Sequence, residues 1–129
     1  MGKRYLIDSN VVIDYVASKL PQNGSDFVET IFNNDFLISI IVKIEVLGFD
    51  DLPFKIQAME EFIDMADVFT LNETIARQTI LLRRKHKKIK LGDAIIAATA
   101  LVHDLTIISR NTKDFKNIMG LDCIDPHEL

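Results

Sequence analysis

Short apolar runs alternate along this chain with longer stretches in which apolar residues return at helical spacing. Arg4 to Ile7 predicts a short buried strand, closed by the turn-forming and cap-forming Asp8-Ser9-Asn10. Val11 to Leu20 predicts a helix halted by Pro21 and the turn-like Gln22-Asn23-Gly24. Ser25 then caps a second helix, whose Phe27, Val28, Ile31 and Phe32 form one stripe before Asn33-Asn34-Asp35 ends it. Phe36 to Ser39 predicts a second strand. The next residues, to Phe49, are nearly all apolar, so periodicity does not separate helix from strand. Gly48 and Asp50-Asp51 punctuate the end and favour a helix from about Val42. Phe54 to Met65 predicts a helix, Val68 to Leu71 a brief strand, and Asn72 or Thr74 the start of a helix running into a basic cluster. Leu91 to His103 predicts a helix, Leu105 to Ile108 a strand, Thr112 to Asn117 a short helical turn and Leu121 to Ile124 an edge strand.

Strands alternating with helices imply an α/β domain with a mainly parallel sheet of four or five strands, covered on both faces. No repeat or low-complexity linker divides the chain, so residues 1–129 are expected to form a single domain. In such sheets, ligands bind outside the carboxyl ends of the strands. Asp8 and the segment Asn111 to Asp114 both follow such ends.

Composition narrows the classes. Hydrophobic residues make up 48% of the chain, which excludes a disordered polyampholyte. Cys123 is the only cysteine, so neither an internal disulfide framework nor a cysteine zinc cluster is available, and a reducing cytoplasm is the expected compartment. Only Tyr5 to Ile7 precede Asp8 as an apolar run, so neither a signal region nor a membrane span is expected. The net charge of −4 disfavours a polyanionic partner, but its distribution does not. Arg83, Arg84, Lys85, Lys87, Lys88 and Lys90 stand together in a chain whose acids gather elsewhere, as at Asp50-Asp51 and Glu60-Glu61. This run is a candidate polyanion-binding site; its plainer reading is a solvated helix end favoured by the dipole.

Four acids stand out. Asp8 ends the first strand; it caps the following helix or serves the site, and Ser9 and Asn10 are equally able to cap. Glu45 and Lys43 are the only charges between Phe36 and Phe49, and residues two apart in a helix point about 200° apart, so the two do not share one solvent face. One of them is therefore expected against apolar surroundings, where a carboxylate needs a partner. Asp93 opens the alanine-rich helix, and Asp114 shares a loop with Asn111, where either residue has a capping alternative. Two carboxylates ~4 Å apart repel by about 4 kcal/mol at an effective dielectric of 20. A cluster of them calls for a divalent cation, and all-oxygen ligation favours Mg²⁺ or Mn²⁺ over zinc. His86, His103 and His127 are dispersed and read as ordinary helix-end or surface residues.

Taken together, these segments resemble the PIN-domain nucleases, in particular the VapC-type toxins of toxin–antitoxin pairs. Tyr-Leu-Ile-Asp8-Ser-Asn10 is similar to the opening strand and first acid of that family, and Ile-Glu45-Val-Leu-Gly48 to its second-acid helix. Leu91-Gly-Asp93-Ala-Ile-Ile-Ala-Ala98 is the most specific piece and resembles the third-acid helix; Ile108-Ser-Arg-Asn111-Thr-Lys-Asp114-Phe115 resembles the fourth segment. Asn111 stands where many relatives carry aspartate, with Asp114 available as the missing acid. The resemblance implies a PIN-like three-layer α/β/α fold, Mg²⁺- or Mn²⁺-dependent cleavage of RNA, a homodimer and inhibition by a small antitoxin. Asp8, Glu45 and Asp93 would hold the metal, Asp114 or Asn111 would complete the shell, and Ser9 or Asn10 would support it by hydrogen bonds. The helix stripe Phe27 to Phe32 and the set Phe54, Met59, Phe62 and Met65 supply apolar surface for the core or for a partner. Two further classes stay open: a phosphorylation-receiver-like signalling domain and a non-catalytic RNA-binding PIN-like module. A receiver needs adjacent acids after its first strand, where this chain has one.

Overall fold

The computed structural model describes residues 2–129. Five strands form one sheet in the order β3-β2-β1-β4-β5: β1 is Tyr5–Ile7, β2 Leu37–Ser39, β3 Asp67–Phe69, β4 Thr106–Ile108 and β5 Cys123–Ile124. Every pairing is parallel; Leu6 lies against Leu37 on one side and Ile107 on the other. The helices are α1 (Ser9–Val16), α2 (Gln22–Asn34), α3 (Ile40–Leu47), α4 (Pro53–Ile63), α5 (Glu73–Lys85), α6 (Leu91–His103) and α7 (Thr112–Phe115), with a 3-10 turn at Pro126–Glu128. Helices flank the sheet, giving the α/β/α architecture expected from the alternation.

The central strands are buried on both faces, which is why they read as unbroken apolar runs: Leu6, Ile7, Leu37, Ile38, Ile107 and Ile108 are almost wholly inaccessible. Small residues on α6 (Ala94, Ala97, Ala98 and Ala100) are buried too and let this helix lie close to its neighbours. An aromatic cluster of Tyr15, Phe32, Phe36 and Phe62 joins α1, α2, α4 and the start of β2, with Phe32 meeting Phe62 edge-on at 5.2 Å. Most of the predicted α2 stripe is therefore core, with Phe27 half-buried against Tyr5. On α4, Phe54 stays exposed, as does Met65 just beyond the helix.

Several boundaries differ from the sequence expectation, and three of them have a visible cause. First, α1 stops at Val16 rather than reaching Leu20. Ser18 takes a left-handed conformation (φ 57°), and Lys19 N–H bonds back to the Asp14 carbonyl at 2.8 Å while Ser18 N–H bonds to Tyr15, a Schellman closure on a non-glycine residue. Second, Gln22-Asn23-Gly24 is not a turn but the first turn of α2. Gly24 is buried there because a Cβ would fall 1.9 Å from the Pro126 carbonyl oxygen. Third, α3 begins at Ile40, directly after β2, with the Ser39 hydroxyl accepting Ile41 N–H at 3.1 Å as its cap.

Candidate active site at the carboxyl edge of the sheet

Because all five strands run parallel, the residues just past β1 and β4 emerge side by side. Asp8 leaves β1 and is buried. One of its oxygens accepts Ser9 N–H at 2.7 Å as the cap of α1, and the other accepts the Ser109 hydroxyl at 2.7 Å. The two readings of Asp8 are thus not exclusive: one oxygen caps, and the other faces the segment after β4. Asn10 reaches the same segment. Its amide nitrogen donates to Ser109 Oγ at 3.2 Å and, more weakly, to Asp8 at 3.4 Å, and its carbonyl accepts Arg110 N–H at 3.0 Å.

Glu45 sits in the second turn of α3 and is exposed, as is its neighbour Ile44. The expectation of a carboxylate pressed against apolar surroundings is corrected here: only Val42 and Val46 of α3 are buried, so the helix has room for both charges outside. Glu45 is nonetheless drawn to the same edge, where its carboxylate accepts the Ser9 hydroxyl at 2.6 Å and lies close to Gly92, two residues into α6.

Asp93 occupies the first turn of α6, whose start has no side-chain cap, so capping does not explain it. Burial, then the charges of Asp8, Asp114 and Glu45, push its carboxyl up to about 6, with Lys90 opposing. The helix dipole favours an anion at this position; three neighbouring carboxylates and burial outweigh it. Asp8 is raised as well, by burial first and by Glu45 last, against the hydrogen bonds from Ser109 and Ser9. Asn111 does not cap α7. Its amide donates to Asp114 Oδ2 at 2.6 Å, and its own N–H goes to Ser109 Oγ at 2.9 Å.

Acids from four separate segments therefore act on one another across this edge. Among the described residues, no three His, Cys, Asp or Glu side chains stand close enough together to hold one metal ion. The arrangement is an open ring of mutually repelling carboxylates rather than a closed ligand shell. Its donor chemistry, all carboxylate oxygen with no histidine or thiolate, matches a hard divalent cation. Cys123 lies beneath Ser109 with its thiol pushed up to about 12 by burial and by Asp8 and Asp125, so it is no thiolate ligand or nucleophile.

Arg83, Arg84 and Lys85 end α5, while Lys87, Lys88 and Lys90 lie in the exposed connection to α6. Lys90 alone acts on Asp93, so the run approaches the site at one end and leads away from it at the other. Sequence reasoning missed Asp14, a buried carboxylate on α1 held by Arg110 and His127. His127, read as an ordinary surface residue, is half-buried in that contact. A single aspartate among Val11, Val12 and Ile13 was the available signal. No helix among the described residues is long and apolar enough to cross a membrane.

The family model for the PIN domain matches residues 5–121. The chain is 27% identical over 130 residues to a Ribonuclease VapC1 of Haemophilus influenzae, covering 94% of this chain and 96% of that one. It aligns with a chain of a toxin–antitoxin complex from Klebsiella pneumoniae at 30% identity and a TM-score of 0.79, covering 97% and 99% of the two chains. A chain from the crystal structure of DNA-bound VapBC from Salmonella typhimurium, at 22% identity and a TM-score of 0.80 over 97% and 99%, has the same fold.

Proposed function

We propose, from the premise that this chain belongs to the PIN-domain family, that it is a divalent-metal-dependent endoribonuclease and the toxin of a toxin–antitoxin pair. The observation that carries this reading is the convergence on Asp93 of Asp8, Glu45 and Asp114, whose charges add to the larger effect of burial in raising its carboxyl to about 6. Excess negative charge of this kind has a use when a cation and a phosphodiester share the site. Full-length similarity to ribonucleases named VapC supports RNA as the substrate.

Asp8, Glu45, Asp93 and Asp114 would hold Mg²⁺ or Mn²⁺, and the bound cation would supply Lewis-acid stabilisation of the scissile phosphate and an acidified attacking water. The chain's other residues prepare those acids. Ser109 and the Ser9 N–H fix both oxygens of Asp8, the Ser9 hydroxyl fixes Glu45, and Asn111 turns Asp114. We assign Asn111 this orienting role rather than a place in the ligand set. Arg83, Arg84, Lys85, Lys87, Lys88 and Lys90 offer a cationic path for the RNA backbone toward Asp93. The whole of residues 1–129 would act as one domain in the cytoplasm.

The antitoxin would take the groove of about 400 Å³ between α1, α3 and α4, lined by Ile13, Val16, Val46, Phe49, Ile56 and Met59. Solved relatives are toxin–antitoxin complexes, and this groove leaves Val16 46% and Phe49 69% exposed. Ile80, Leu81, Leu91 and Val102, exposed on α5 and α6, would form the homodimer seam. The strand order argues against the receiver alternative, whose sheet runs 2-1-3-4-5.

The test is cleavage of RNA with Mn²⁺ or Mg²⁺ by the full chain and by Asp93→Asn. We expect the variant to lose about 100-fold or more in rate. Undiminished cleavage by folded Asp93→Asn removes this residue from the mechanism. Metal binding by the wild type without cleavage of any RNA tried leaves a non-catalytic module.

A further inference from the structure

We infer that Asp14, which lies outside the carboxylate ring, is a positioning residue for it, acting through Arg110. Asp14 stands one helical turn beyond Asn10 on α1 and is only 6% exposed. Its Oδ2 lies 3.1 Å from Arg110 Nη1 and 3.0 Å from His127 Nε2. A carboxylate only accepts, so His127 carries a proton on Nε2 in this contact. Both donors come from far along the chain, one from the segment after β4 and one from the terminal 3-10 turn.

Arg110 is therefore held to α1 twice: its side chain by Asp14 and its backbone N–H by Asn10 Oδ1 at 3.0 Å. The residues on either side of it set two acids of the site. Ser109 donates to Asp8 at 2.7 Å, and Asn111 donates to Asp114 at 2.6 Å. Three consecutive residues thus have their middle member anchored and their outer members orienting carboxylates that arrive from opposite ends of the sequence. The anchor is itself braced. Pro126, next to His127, is buried and packs against Gly24 so closely that no Cβ fits there. Burial of Asp14 calls for a donor and His127 already supplies one, so stability alone does not explain why the 57% exposed Arg110 side chain is tied there too. What it does fix is the register of Ser109 and Asn111 against Asp8 and Asp114, and such outer partners govern how well a ligand set binds.

This inference rests on the metal-nuclease reading of the site, and its readouts separate the two. Mn²⁺ binding without RNA is measured by calorimetry on the full chain, alongside kcat, KM and Tm, for wild type, Arg110→Ala, Arg110→Lys, Asp14→Asn and the double variant Asp14→Asn/Arg110→Ala. Arg110→Ala is expected to bind Mn²⁺ about tenfold more weakly and to lose kcat in proportion, with KM unchanged. Arg110→Lys should recover part of both, and the double variant should be no worse than the more impaired single one. Folded Arg110→Ala that matches the wild type in Mn²⁺ affinity and kcat overturns the inference, even if its Tm falls. Should Asp14→Asn fail to fold, Arg110→Ala decides alone. A wild type that neither binds Mn²⁺ nor cleaves RNA overturns the nuclease reading, and the inference with it.

Discussion

At the scale of single residues, charge decides most of what this molecule does. Asp93 is raised from 3.8 to about 6, and Asp8 is raised as well. Between about pH 6 and pH 4 the folded, metal-free protein holds protons that the unfolded chain releases, so these two groups add stability as pH falls and withdraw it as pH rises. The Tm in EDTA is expected to be higher at pH 5 than at pH 7, as followed by calorimetry, and saturating Mn²⁺ should flatten or reverse that difference because it binds the deprotonated acids. Asp93→Asn is expected to gain about 1 kcal/mol of metal-free stability at pH 7, discounted for partial exposure, while losing cleavage; a thermal melt beside an RNA assay checks both halves. Asp8 and Asp93 were legible because a lone acid at a strand end or before an alanine run stands out. Glu45 was picked out by an argument about burial that its exposure contradicts, yet Ser9 and Gly92 still bring it to the site. Asp14 left only the trace of a lone acid among Val11, Val12 and Ile13; its partners lie 96 and 113 positions away, and no local pattern announces them.

Among the elements, existence and order could be read from the sequence, and several ends could not. Periodicity and punctuation together placed every strand and every helix now labelled α1 to α7; for α3 it was Gly48 and Asp50-Asp51 that decided, since its apolar run fits helix and strand alike. The ends of α1 and α2 went astray where tertiary contact outweighed local preference. Ser18 closes α1 in a conformation usually reserved for glycine. Ser18→Gly is therefore expected to stabilise the protein by up to about 1 kcal/mol in a urea titration. Gly24 read as a turn residue but serves as a gap for Pro126. Gly24→Ala should improve helix propensity and still destabilise, by about 1–3 kcal/mol, because the added methyl meets backbone rather than a movable side chain. A Gly24→Ala protein with an unchanged urea midpoint would show that the terminal turn is free to shift.

Across the whole molecule, an acidic body carries one basic ridge. Neutralising Lys87, Lys88 and Lys90 should weaken RNA binding and flatten the dependence of log K on log salt by about 2, near 0.7 for each lost phosphate contact on a single strand. An unchanged slope would make the ridge a solvated helix end. If α5 and α6 form the seam, Leu81→Glu should convert dimer to monomer in sedimentation without lowering the Tm of the isolated protomer. The architecture was legible from alternation alone, but which apolar side chains enter the core and which stay exposed needed the packed structure. Strand order carries a last consequence. β1 pairs directly with β4, and Asp8 waits for a hydroxyl 101 residues further along. A nascent polypeptide thus makes Asp8, Glu45 and Asp93 before Ser109 and Asp114, so the carboxylate ring comes together only once the segment after β4 has been made and has paired with β1.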